Sequence, residues 1–224
     1  VMQIIFTVLL VTMFSHRSFA AGTAFSKTEV IQAAIFEALI LGYIVSLQVG
    51  IAIVIGVVAV FLLSLAKSKL TLGNLRESLF TRQTAIGLGS GASLGFCTVA
   101  YRAAIETLDS DDLVTRASVT AAISVLIQAV LMGLWMWRRA PDQLWASFVH
   151  WRDSSIVGLS GAFSTACWFT AFSLYAVAPV RAVGQIEILF VLAISVIYFR
   201  EKTSPKELFA MLLLAISIVM VLLG

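Results

Sequence analysis

The sequence predicts an all-α, polytopic membrane protein, a bundle of about eight transmembrane helices. The chain of 224 residues is 60% hydrophobic and only 12% charged, whereas soluble domains carry about 25% charged residues. Its mean hydropathy is +1.02. Continuous apolar runs near the ~20 residues needed to cross a bilayer recur along the chain, and they do not alternate with polar residues as the strands of a membrane barrel do.

The apolar runs place the helices in order. The expected spans are 1–16, 19–43, 47–66, 84–107, 114–137, 154–176, 179–199 and 206–223. The first run resembles a signal peptide, but its positive charges follow the apolar stretch, whereas in a signal peptide they precede it. We therefore interpret it as a transmembrane helix that lacks its beginning, and the chain as a fragment.

The positive charges lie in short connections between the spans. Lys and Arg occur at 67–83, 138–153 and 200–206, and the alternate connections hold none. This distribution follows the positive-inside rule and places those three segments on the cytoplasmic side. No arginine-rich arm is present, so the net charge of +3 does not indicate a nucleic-acid partner. Cys97 and Cys167 lie within apolar spans and are predicted to pack there, with no disulfide, metal or cofactor site.

Two polar units interrupt the apolar helices. Lys27 and Glu29 lie early in the 19–43 span, and Gln185 and Glu187 lie at matching positions of the 179–199 span. Ionisable groups within a membrane normally have a partner or face a watery cavity. Superposing the two units predicts an internal repeat: an incomplete first copy at 1–66, a connection at 67–83 and a complete copy at 84–223. Inverted repeats of this kind are typical of secondary transporters.

Four stretches carry a more specific resemblance. They are RSFAAGTAFSKTEVIQAAIF, GSGASLGFCTVAYRAAIETL, ACWFTAF and VRAVGQIEILFVLAISVIYFREKTSPKEL. These stretches resemble the drug/metabolite transporter superfamily, in its EamA-type branch. The chain departs from that family in lacking the first two helices, and in having Tyr43 after Leu41-Gly42, where an acidic residue is frequent.

The resemblance implies two five-helix repeats of opposite orientation around a central substrate path, with the first repeat truncated. It implies a permease rather than an enzyme, moving metabolites, amino acids or related small polar organic solutes by alternating access, for example in efflux. Transport would be coupled to a proton or another ion, in the lipid bilayer of a bacterial inner membrane. The oligomeric state is not predicted.

Seven residues are candidates for binding the substrate or coupling its transport: Lys27, Glu29, Gln32, Arg102, Arg181, Gln185 and Glu187. Glu29 and Glu187 are the candidate carboxylates for proton coupling. Gln185 and Glu187 are about 200° apart on an ideal helix, so both face one cavity only if the helix is distorted, for which Pro179 leaves room. The alternative is a clasp, such as a Lys27–Glu187 ion pair, that only fixes helix packing.

Three further features have competing interpretations. For Arg102 we favour an ion pair with Glu106 on the same helix, the alternative being an anionic group of the substrate. Glu37 is expected near the membrane interface and hydrated. The glycines at 87, 91 and 95 predict close helix packing.

Two other classes of protein are compatible with the sequence. One is a membrane scaffold that transports nothing. The other, more remote, is an intramembrane serine protease, suggested by Gly158-Leu159-Ser160-Gly161, which needs a histidine to activate Ser160. The chain offers only His16 and His150, both at or beyond helix ends in the predicted topology.

Overall fold

The chain folds into helices in the part that the computed structural model describes, residues 1–14, 25–67, 82–109, 112–198, 200 and 204–224. These residues form ten helices and no strand. The helices are α1 (Met2–Phe14), α2 (Glu29–Leu41), α3 (Leu47–Lys67), α4 (Arg82–Glu106), α5 (Leu113–Arg139), α6 (Pro141–Val149), α7 (Trp151–Leu174), α8 (Val177–Gly184), α9 (Ile186–Ile197) and α10 (Pro205–Leu222). The prediction of an all-α fold is confirmed.

Five described segments are long and apolar enough to cross a membrane: Leu47–Ala66, Leu113–Arg139, Trp151–Leu174, Val177–Ile194 and Pro205–Leu222. They correspond to five of the eight predicted spans. The described part of α2 is 13 residues long, and α1 holds only a shorter apolar stretch. α4 has the length, at 25 residues, but its glycines, serines and threonines make it less apolar. The chain is therefore an integral, multi-pass helical membrane protein.

Local chemistry sets several helix ends. The carboxylate of Asp112 accepts hydrogen bonds from the amides of Val114 (3.2 Å) and Thr115 (3.1 Å) and so caps α5. The hydrogen bond from the Thr115 hydroxyl is the main cause that lowers the pKa of Asp112 below its usual value, with these two amides contributing next. Ser204 and Glu207 form a reciprocal capping box at the start of α10. α2 ends at Gly42, whose φ of 72° is left-handed.

The described residues fall into two compact units, of which one comprises residues 2–99 and 176–224. Here α3 packs along α10, and the Ser217 hydroxyl donates to the Ala52 carbonyl at 2.7 Å. A Cβ at Gly56 would lie 2.5 Å from the oxygen of that hydroxyl, so a glycine is needed at this crossing. A buried apolar cluster joins α2, α3, α8 and α10 through Val30, Val49, Ala52, Ile53, Ala178, Ala182 and Val221.

The predicted span 179–199 matches the apolar segment Val177–Ile194, and this segment holds two helices joined by a turn. α8 ends at Gly184, Gln185 forms a turn, and α9 begins at Ile186. Two i→i+3 hydrogen bonds form the turn: Gln185 N–H donates to the Ala182 carbonyl (3.2 Å), and Ile188 N–H donates to the Gln185 carbonyl (3.0 Å). Such tightening within a helix is frequent at functional hinges.

The other compact unit comprises residues 100–175 with Val1. The Tyr101 and Phe169 rings pack at an interplanar angle of 42° with their centroids 4.5 Å apart, and the Gln128 amide donates to the Tyr101 hydroxyl at 3.2 Å. α7 exposes large apolar side chains along its first half, each 68% to 74% exposed: Ile156, Val157, Leu159 and Phe163. Such a face suits lipid rather than water.

Candidate functional site

A buried ion pair joins α2 to α8. Glu29 is the first residue of α2, and one of its carboxylate oxygens accepts a hydrogen bond from the Arg181 guanidinium in the last turn of α8. The side chains of Glu29 and Arg181 are 5% and 16% exposed. Because neither charge has bulk water around it, each depends on the other for its stability in this apolar setting.

A second ion pair lies nearer the surface of the same unit. Lys27, in the turn before α2, places its Nζ 2.7 Å from Oε1 of Glu187, and the two side chains are 27% and 60% exposed. Glu187 is in the first turn of α9, where the helix dipole favours a negative charge. The sequence suggested this ion pair as a possible contact, and water weakens it relative to the Glu29–Arg181 pair.

Glu37 has a different environment from the one expected. We predicted a hydrated side chain near the membrane interface, but Glu37 is fully buried. Its carboxylate accepts hydrogen bonds from the amides of Val177 (2.6 Å) and Ala178 (3.1 Å), the first two residues of α8. Pro179, the third residue, has no N–H to satisfy. Glu37 therefore caps α8 from another helix, an anion at the positive end of the helix dipole.

The turn at Gln185 holds a polar atom with no partner among the described residues. Gln185 is 6% exposed, and its Oε1 is buried without a hydrogen-bond donor. A groove of about 240 Å³ lies along the start of α9 and is lined by Leu63, Glu187, Ile188, Val191 and Leu192. An apolar groove with one carboxylate thus begins two residues beyond the turn.

Two glycines on α4 let the polar part of α2 approach closely. A Cβ at Gly91 would lie 2.8 Å from the Ser26 carbonyl oxygen, and one at Gly95 would lie 3.1 Å from the Ala33 amide nitrogen and 3.2 Å from the Glu29 carbonyl oxygen. The packing role predicted for Gly91 and Gly95 is confirmed. These contacts fix the backbone that carries Glu29.

The structure does not bring all of the predicted residues together. The Gln32 amide donates to the Thr28 hydroxyl at 2.8 Å, a contact local to the start of α2. Arg102 belongs to the unit of residues 100–175, where its Nε lies 2.9 Å from Glu106 Oε1. The ion pair that we favoured for Arg102 is confirmed.

Arg102 has a further role that the sequence did not indicate. Its guanidinium donates to the carbonyls of Phe172, at 3.1 Å, and Tyr175, and so caps the C-terminus of α7. Arg102 is 8% exposed.

The protease arrangement is not formed by His150. The Ser160 hydroxyl donates to the Val157 carbonyl at 3.0 Å, and His150 immediately precedes α7, ten residues away and so about 15 Å along the helix axis. The other histidine, His16, lies outside the described residues. Within those residues, no group of three or more His, Cys, Asp or Glu side chains is placed to hold a metal ion.

The fold and the paired charges define a multi-pass helical membrane protein that holds ionisable groups between its helices. A family model described as the EamA-like transporter family matches residues 84–223, more than half of the chain. The chain belongs to this family, and the resemblance noted in the sequence is confirmed. A search of the curated proteins finds no match to the chain.

Proposed function

We propose that the chain is a secondary transporter that moves small polar organic solutes, such as amino acids and related metabolites, across a cell's inner membrane by alternating access. The observation that carries this proposal is the pair of ionic contacts, Glu29–Arg181 and Lys27–Glu187, which both join α2 to the α8–α9 segment. Four ionisable groups in an apolar unit are costly to keep for packing alone. Membership of the EamA-like transporter family supports the same conclusion.

The two ion pairs suggest how a solute is exchanged. Lys27–Glu187 is the outer ion pair. A polar solute that enters beside Glu187, which is 60% exposed, replaces one partner of this pair and lowers the free-energy cost of separating Lys27 from Glu187. The inner pair, Glu29–Arg181, stays closed until α2 and α8 separate. Glu29 and Glu187 are the carboxylates that we propose for coupling to a proton or another ion.

A non-transporting scaffold is the second candidate, because one observation favours it. Each of the four charges already has an opposite charge as its partner, as a packing clasp requires. The two candidates differ in whether the pairs must open for function.

The test is solute counterflow in proteoliposomes that contain the full chain, with a mixture of ¹⁴C-labelled amino acids outside and the unlabelled mixture inside. A transporter exchanges label, and Glu187→Gln lowers the initial rate by roughly tenfold or more because the outer pair is lost. Asp153→Asn is the matched control, since Asp153 is exposed at the start of α7, outside the ion-paired group. Folded protein that exchanges no label, with a Glu187→Gln variant that is only less stable, favours the scaffold.

A further inference from the structure

The turn between α8 and α9 presents an acceptor whose donor is not among the described residues. Gln185 is more than nine-tenths buried, and its Oε1 has no hydrogen-bond partner there. An amide oxygen only accepts hydrogen bonds. A buried acceptor left in this state is destabilising, and in native proteins such a group needs an explanation.

The position of Gln185 relates this oxygen to the two ion pairs. Gln185 follows Arg181 by four residues and so continues the helix face that Arg181 uses to reach Glu29. It precedes Glu187 by two residues, and Glu187 lines the groove. The cationic groups of Arg181 and Lys27 are directed to Glu29 and Glu187.

A second buried oxygen without a partner occurs on a neighbouring helix. Ser90 is fully buried, and its hydroxyl has no hydrogen-bond partner among the described residues. The next residue, Gly91, packs against the Ser26 carbonyl at the start of α2. Both α4 and α8 contact α2 around Glu29. α4 carries the unsatisfied Ser90 hydroxyl, and α8 leads into the turn that carries the unsatisfied Gln185 amide oxygen.

The electrostatics at the turn select the kind of group that fits. The C-terminal end of α8 carries partial negative charge and the first turn of α9 partial positive charge, so the two helix ends offset each other at the turn. The kind of group that fits is therefore set by the amide oxygen itself, which attracts an N–H or O–H donor and repels the oxygen of a carboxylate or phosphate.

We propose that the turn at Gln185 binds the hydrogen-bond donor group of the transported solute, an ammonium, amide or hydroxyl group, through Gln185 Oε1. This inference rests on the proposed transport function. It specifies that the polar end of the solute that reaches Gln185 is a donor and not a carboxylate or phosphate.

The test compares two thiol reagents of opposite charge on single-cysteine variants. Gln185→Cys, Glu187→Cys and Val183→Cys are made in the full chain with Cys97 and Cys167 replaced by alanine, and each variant is checked by its elution on size exclusion. The reagents are 2-aminoethyl methanethiosulfonate, a cation, and 2-sulfonatoethyl methanethiosulfonate, an anion. Each labelling rate is divided by the rate of the same reagent with free 2-mercaptoethanol. Val183 packs against the apolar clusters and is the matched control.

We expect Gln185→Cys to react with the cation about tenfold faster than with the anion after this correction, and Val183→Cys to react with neither. Equal corrected rates at position 185 mean that only water contacts the Gln185 amide. They overturn the inference but do not contradict the proposed transport path. A faster anion, or a Val183→Cys that reacts like Gln185→Cys, also overturns it. Protection of both 185 and 187 from both reagents overturns the proposed transport path itself.

Discussion

Replacing Glu37 tests the central structural claim, that a carboxylate of α2 holds the start of α8. Glu37→Ala leaves the amides of Val177 and Ala178 without their acceptor, and both residues are fully buried. Each buried donor left unsatisfied costs about 1–3 kcal/mol, so we expect a loss of about 2–6 kcal/mol in the free energy of unfolding. Glu37→Gln keeps one acceptor oxygen and should lose roughly half as much.

The assay is thermal unfolding of the purified chain in detergent, followed by far-ultraviolet circular dichroism. At about 2–4 °C per kcal/mol for a chain of this size, Glu37→Ala should lower the Tm by at least about 4 °C. Asp153→Asn, an exposed first-turn carboxylate of α7, serves as control and should cost less than about 1 kcal/mol. Equal small shifts for Glu37→Ala and Asp153→Asn would refute the capping argument.

Three further predictions concern other contacts. Glu29→Gln should cost about 3–5 kcal/mol in the free energy of unfolding because it removes the carboxylate that faces the buried Arg181 guanidinium, and Arg181→Met should restore most of that loss in a double-mutant cycle; additive losses would contradict this. Gly95→Ala should destabilise by about 1–3 kcal/mol because its Cβ meets the backbone of α2. Gly133→Ala, with nothing within 4 Å of the added Cβ, should instead be neutral or stabilising by up to about 1 kcal/mol; equal effects of the two alanines in thermal unfolding would argue against close α2–α4 packing. The lowered pKa of Asp112 means that its stabilising contribution is complete above the unfolded value of about 3.9 and is lost as the pH falls through the folded value, so the Tm of Asp112→Asn should fall less steeply than that of the wild type below about pH 4.

The fold class and the charged residues that form ion pairs were predictable from the sequence, because both depend on composition and spacing. Apolar runs identify helices in a membrane chain, and ionisable residues inside them must find partners. The Lys27–Glu187 contact follows from that reasoning, as does the Arg102–Glu106 pair from i, i+4 spacing. The internal repeats and the transport roles of the seven candidate residues stay predictions.

The contacts that the sequence did not predict all depend on tertiary placement. The spacing of apolar residues does not show whether Glu37 faces water or another helix. In the structure its carboxylate accepts hydrogen bonds from two amides of a helix that begins 140 residues further along the chain. The break at Gln185 lies in an apolar run. No proline stands at the turn itself, and Gly184 is the single glycine beside it. Two local signals were present: Pro179 removes one amide from the first turn of α8, and Gly184 directly precedes the turn.

Helix α8 depends on α2 for contacts that lie outside the segment matched by the family model. The family model matches residues 84–223 as one continuous segment. Within that segment, the first two amides of α8 and the guanidinium of Arg181 have their partners in Glu37 and Glu29, which lie outside it. The matched segment therefore does not contain the acceptors on which its own helix α8 depends. Residues 84–223 without α2 would leave these two amides and the Arg181 guanidinium without Glu37 and Glu29.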